Sequence, residues 1–246
     1  MARTLVLLHG LGRTRRSMRR LAGEGARRGY RICNIGYASR RAGIAAHAEN
    51  VARMLDALRG DGPLYAVTHS MGGIVLRAAL AGDRLPHDSV GRVVMLAPPG
   101  GGSELADWLG RTPLLRLALG PAAPELRTGA VGVADALPPV HFELGVIAGA
   151  SPRRTLAAAL FGGPNDGKVS VARAGMAGMR ELLVVPYGHT FIMNAPEVIA
   201  QTFHFLEHGS FASAGIGAPL AHTAGAGSRP STRNTPLANV SSSRPK

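Results

Sequence analysis

At 246 residues and 46% apolar, the chain allows one sizeable core, and no run approaches the roughly 18–20 uninterrupted apolar residues of a membrane span. The formal net charge is +13, nearly all of it arginine, because Lys168 and Lys246 are the only lysines. Aromatics are only 4% and no basic stripe is interleaved with them, so nucleic acid is not an expected partner, whereas contact with an anionic membrane surface stays open. Cys33 is the only cysteine, which excludes an internal disulfide and fits a reducing, cytoplasmic setting.

Thr4 to His9 reads as an all-apolar strand of a sheet buried on both faces, too short for the core of a signal peptide. It runs into His9-Gly10-Leu11-Gly12, where glycines let backbone approach a neighbour closely. Thr14 is placed to cap a helix reaching about Arg28, with Gly29 as its stop. Tyr30 to Ile35 reads as a second strand, and Ile44 to Leu58 as a helix with Val51, Leu55 and Leu58 on one face. Pro63 to Val67 is a third strand and Ile74 to Leu80 a buried helix ending near Gly82. Val90 to Ala97 is a fourth strand. Between about 98 and 140 glycines, prolines and short apolar patches alternate, with no strand evident. Leu144 to Ala150 and Glu181 to Pro186 are the last strands, and Pro196 to Glu207 is the last helix, with Asn194 as its expected cap. Alternating strands and helices imply a mostly parallel α/β sheet of about six strands. One domain is expected over 1–209. The stretch 210–246, rich in Ala, Gly, Ser and Pro and without an acidic residue, reads as a disordered tail. There is no internal repeat and no metal-ligand spacing.

The third strand turns into its helix through Thr68-His69-Ser70-Met71-Gly72-Gly73. A serine on such a corner presents its Oγ at the carboxyl end of the sheet, and the first free N–H groups of the helix face whatever it attacks. The chain doubles back two residues later and needs a small residue there, which Gly72 supplies. The usual pattern is G-x-S-x-G, and here Thr68 stands for the first glycine.

His9-Gly10-Leu11-Gly12, Thr68-His69-Ser70-Met71-Gly72-Gly73, Asn165-Asp166-Gly167 and Gly188-His189-Thr190 occur in that order, each after an expected strand. This resembles the α/β-hydrolase family, in particular its small bacterial lipases and esterases, over about residues 3–208. The resemblance implies an α/β-hydrolase fold and a nucleophile, acid and base in the order Ser70, Asp166, His189.

The chemistry needs each part. A serine hydroxyl is a poor nucleophile until a base takes its proton, and His189, just past the last strand, is the candidate base. Asp166 would hold His189 in the right tautomer and stabilise the imidazolium. Asp135 and Glu143 precede the strand at 144–150 and Asp88 precedes the strand at 90–97, so they are weaker candidates for the acid. The negative oxygen of the tetrahedral intermediate calls for the backbone N–H groups of Leu11 and Met71. Gly10 and Gly72 are structural turn residues, and His9 is expected to brace its loop.

Family members often carry a lid where this chain has 98–140. Its middle, Thr112 to Gly120, reads as a short capped helix, apolar on nearly every face. A lid lining an acyl pocket with Trp108, Leu114, Leu115 and Leu117 is expected. The reading is a serine hydrolase, a lipase or carboxylesterase, cleaving small-molecule or lipid esters with an apolar acyl group and needing no metal or cofactor. Alternatives are a thioesterase or acyltransferase on the same scaffold, or a non-catalytic lipid- or anion-binding protein.

Overall fold

The computed structural model describes residues 3–58, 60, 62, 64–82, 84–86, 89–151 and 161–213, without the side chains of Pro113, Leu115 and Arg116. Six strands make one sheet: β1 (Thr4–Leu8), β2 (Arg31–Ile35), β3 (Leu64–His69), β4 (Val90–Leu96), β5 (Glu143–Gly149) and β6 (Glu181–Val185). Their order is β2-β1-β3-β4-β5-β6, and every neighbouring pair is parallel.

The strand side chains alternate between two cores, as the two-residue period of a strand requires. Val6 and Leu8 of β1 and Val93 and Met95 of β4 enter one core, with α2 (Ile44–Leu58) and α3 (Met71–Leu80). Leu5, Leu7, Val94 and Leu96 enter the other, with Leu21 of α1 (Arg19–Arg27) and Phe203 and Phe205 of α8 (Pro196–His208). Both faces of the sheet are thus covered, which is why its strands read as continuous apolar runs.

The expected boundaries hold closely, with three corrections. Thr14 makes no side-chain cap; a 3-10 turn over Arg15–Met18 precedes α1. Asn194 does not cap α8: Ala195 holds that place without a side-chain bond, and Pro196 starts the helix, where its missing N–H costs nothing. The packed chain also runs past Gly209. Phe211 is buried against Phe205, its N–H donates to Glu181 Oε2, and Ala212 exchanges two hydrogen bonds with Gln201. The tail expected beyond lies outside the described residues from 214 onward.

The stretch 98–140 holds three short helices: α4 (Glu104–Leu109), α5 (Pro113–Leu119) and α6 (Ala122–Glu125). A final short helix, α7 (Val171–Ala174), follows the turn around Asp166. Among the described residues no helix is long and apolar enough to cross a membrane.

Candidate active site

The chain leaves β1 toward β2 on one side and returns across β1 to β3 on the other. The crevice therefore opens at the carboxyl ends of β1 and β3, where the order reverses. His9 to Gly12 follow β1 and Ser70 follows β3, so both lie at that crevice.

Ser70 has φ 53° and ψ −126°, a conformation that non-glycine residues rarely adopt. Two backbone bonds hold it there: its N–H donates to Leu96 O at 2.9 Å, and its carbonyl accepts from Gly73 N at 2.9 Å. The close fit behind it explains the glycines. A Cβ on Gly72 would lie 2.7 Å from Leu8 O and 2.8 Å from His9 O, inside van der Waals contact. Thr68 is fully buried, and its Oγ1 would stand 3.2 Å from a Cβ on Gly73. The second glycine thus makes room for the threonine that replaces the first glycine of the usual pattern.

His189 Nε2 lies 2.9 Å from Ser70 Oγ, and His189 Nδ1 lies 2.7 Å from Asp166 Oδ2. The other carboxylate oxygen, Oδ1, accepts from Lys168 N at 2.9 Å and Val169 N at 2.8 Å. The acid is thus oriented by its own turn, while His189 N donates to Asp166 O at 3.0 Å and ties the two loops together. All three expected side chains meet, although 96 and 23 residues of chain separate them in turn (166 − 70 and 189 − 166).

The rival acids do not reach. Glu143 pairs with Arg92 and Arg180 at the start of β5, the opposite end of the sheet. Asp135 acts on Arg77 and does not line the crevice, and Asp88 lies outside the described residues.

Leu11 lines the cavity over Ser70, and Met71 is the first residue of α3. Among the described residues neither N–H is taken up by a turn or loop hydrogen bond. A Cβ on Gly10 would stand 3.0 Å from Ser70 Cβ, so the loop passes directly beside the serine. His9 is fully buried outside this cavity and braces the loop. Its Nδ1–H donates to Gly10 O, its Nε2 accepts from Tyr37 N, and its ring stacks on Tyr37 at 4.4 Å. Burial, first of all, pushes its pKa down and keeps it neutral.

The cavity measures ≈ 190 Å³. Its far wall comes from 98–140: Leu105, Ala106 and Leu109 of α4, Leu119 at the end of α5, and Ala123 and Leu126 at α6. The expected lining residues are placed differently. Leu114 and Leu117 are 76% and 82% exposed, and Trp108 is 48% exposed. Residues three apart share one face of a helix, and in α5 that face looks to water while α4 and α6 face the cavity. The side chain of Leu115 is outside the described set.

Three contributors escaped the sequence reading. Arg77 reaches out of α3 to the carbonyls of Gly100, Ala134, Leu137 and Pro138, so it fastens the 98–140 stretch to the helix behind Ser70. Burial lowers its pKa, and Asp135 works against that shift. Glu125 Oε2 accepts from Ile44 N at 2.7 Å and so caps α2 from the 98–140 stretch. Ser39 Oγ accepts from Gly12 N at 3.0 Å and steadies the loop after β1. Each joins segments far apart in the chain, and no local pattern marks them.

A model of the alpha/beta hydrolase family matches residues 5–202. Among solved structures, the mature lipase of Bacillus licheniformis is similar at 20% identity with a TM-score of 0.68, covering 85% of this chain and 93% of that one. A metagenomic carboxyl esterase is similar at 22% identity, TM-score 0.60, over 76% of this chain and 64% of its own. A carboxylesterase of Bacillus subtilis is similar at 18% identity, TM-score 0.51, over 85% of both chains. No curated protein sequence matches.

Proposed function

The chain belongs to the alpha/beta hydrolase family, and we propose that it is a serine hydrolase cleaving carboxylic esters with an apolar acyl group. The observation that carries this reading is the hydrogen-bonded chain from Asp166 through His189 to Ser70. In the proposed mechanism His189 Nε2 takes the Ser70 proton as Oγ attacks the ester carbonyl. The oxyanion is held by the N–H groups of Leu11 and Met71, which need not reorganise to receive it. His189, now an imidazolium steadied by Asp166, returns the proton to the leaving alcohol, and water then cleaves the acyl-enzyme by the same steps.

The apolar wall supports the acyl preference, since Leu105, Leu109, Leu119 and Leu126 offer no polar partner. Lipases and esterases among the similar structures agree with it. The segment 98–140 acts in this reading as the lid, with α4 and α6 as its inner face. The test is a panel of p-nitrophenyl esters of graded chain length together with a fluorophosphonate probe. Ser70→Ala should lose probe labelling and lose turnover by on the order of 10⁶, with the fold intact. Full activity in that variant would sink the reading.

A further inference from the structure

The cavity lining is of two kinds. Besides the apolar wall, Arg13 and Lys168 line it together with His189 and Thr190, and the lining contains no Asp or Glu. Arg13 is fixed in place: Nη2 donates to Thr190 O at 3.0 Å, and the guanidinium lies 5.5 Å from the centre of the Phe191 ring. Its Nε is nevertheless buried and meets no acceptor. The Lys168 backbone is pinned at both ends, its N–H by Asp166 Oδ1 and its carbonyl by Ser103 Oγ. Its ammonium enters no ion pair among the described residues.

Two cations at one mouth repel each other. The ammonium pKa of Lys168 is pushed down, first by desolvation and then by Arg13, while Asp166 pulls the other way. Asp166 is already engaged with His189 and two backbone N–H groups, so it does not serve as a dedicated partner. Lys168 is exposed, so water solvates its ammonium, and an anion arriving there would meet both cations at once.

Its place says which end of a substrate would bring that anion. His189 Nε2 must reach the leaving oxygen, so the alcohol departs on the His189 side. Arg13 is bonded to the residue after His189, and Lys168 stands two residues after Asp166. The acyl chain is left with the apolar wall. We infer that the ester this site takes carries a phosphate on its alcohol portion, held between Arg13 and Lys168. The charge matches, since a phosphate monoester carries about −1.5 to −2 at neutral pH and meets two cations. The oxygens match as well, because one phosphate can accept from the Arg13 guanidinium and from the Lys168 ammonium together. This inference rests on the ester-hydrolase reading above.

The test separates the two. The Ser70→Ala protein is titrated by calorimetry with 1-octanoylglycerol 3-phosphate and with 1-octanoylglycerol, both monomeric. The phosphate compound should bind about tenfold tighter or more. That preference should shrink with added salt and vanish in Arg13→Gln and in Lys168→Gln, while Lys168→Arg should keep it. Equal affinity for the two compounds overturns the inference, and so does a preference that survives both glutamine variants. Attraction to vesicles bearing phosphatidic acid, without a preference for the monomeric phosphate, also overturns it, because a surface of net charge +13 does that without a site. Turnover of both compounds by the unsubstituted chain is followed alongside: its absence with both counts against ester hydrolysis, whereas the binding preference reports on the anion site alone.

Discussion

His69 Nε2 lies 3.0 Å from the carbonyl oxygen of His189, so the residue before the serine holds the loop that carries the candidate base. The two rings stand 5.0 Å apart. Complete burial, and next the charge of His189, drive the His69 pKa well below its ordinary 6.5, so His69 is neutral and donates from Nε2.

A pH dependence of stability follows from that shift. His69 and His9 both have folded pKa values below the unfolded 6.5, so the unfolded chain binds protons first as pH falls. Their contribution is intact above 6.5 and is lost as pH drops below it, at up to about 1.4 kcal/mol per pH unit for each histidine. Urea midpoints measured at pH 7.5, 6.5 and 5.5 should fall across the last interval. His69→Phe should flatten that fall, and an unchanged slope would mean that His69 is charged in the folded protein.

Asp166→Asn should keep the turn, because Asn can still accept from the Lys168 and Val169 N–H groups. It should favour the wrong tautomer of His189 and lower kcat by roughly 10⁴. The readouts are ester turnover and thermal midpoint together. Near-normal turnover would remove Asp166 from the proposed mechanism.

At Gly72 the prediction concerns folding. A methyl there would press on the carbonyls of Leu8 and His9, both backbone and unable to move alone. Gly72→Ala should cost about 1–3 kcal/mol of stability, the range for overpacking, and should also impair turnover by shifting Ser70. Denaturant unfolding checks the first, and a stability equal to the parent chain would show that β1 and α3 can separate there.

For the acyl wall, Leu109→Ser should reduce kcat/KM on long-chain esters more than on acetate esters, since Leu109 lines the cavity. Each buried leucine contributes about 1.5–3 kcal/mol, so a long chain stands to lose tenfold or more. Leu117→Ser, on the water-facing side of α5, should change neither ester in homogeneous solution. The opposite ranking of the two variants would mean that α5 turns inward when substrate binds.

Arg77→Met should leave four carbonyls of the 98–140 region without their charged donor. The expected loss is about 2–3 kcal/mol. Limited proteolysis should cut that region first, and cleavage elsewhere at unchanged rate would show that other contacts hold it.

Local patterns in the sequence determined much of this protein. Buried parallel strands are apolar throughout, so β1, β3, β4 and β5 stood out within a residue or two of their ends. The turn at Ser70 was legible because a strand, a sharp corner and a helix each leave a short-range mark, and Gly72 records how near β1 must come. The order of Ser70, Asp166 and His189 after three strands also belongs to the chain alone. Their meeting does not: it requires the strand order that brings the carboxyl ends of β3, β5 and β6 to one edge, and that order is set by pairing over long separations. The same holds for Arg77, Glu125 and Ser39, whose partners are distant carbonyls and amides, and for the two cations that line one cavity from loops 155 residues apart (168 − 13). In α5 the sequence was apolar on nearly every face, so its period could not choose between water and cavity. Only the packing of α5 against α6 decided that Leu114 and Leu117 look outward.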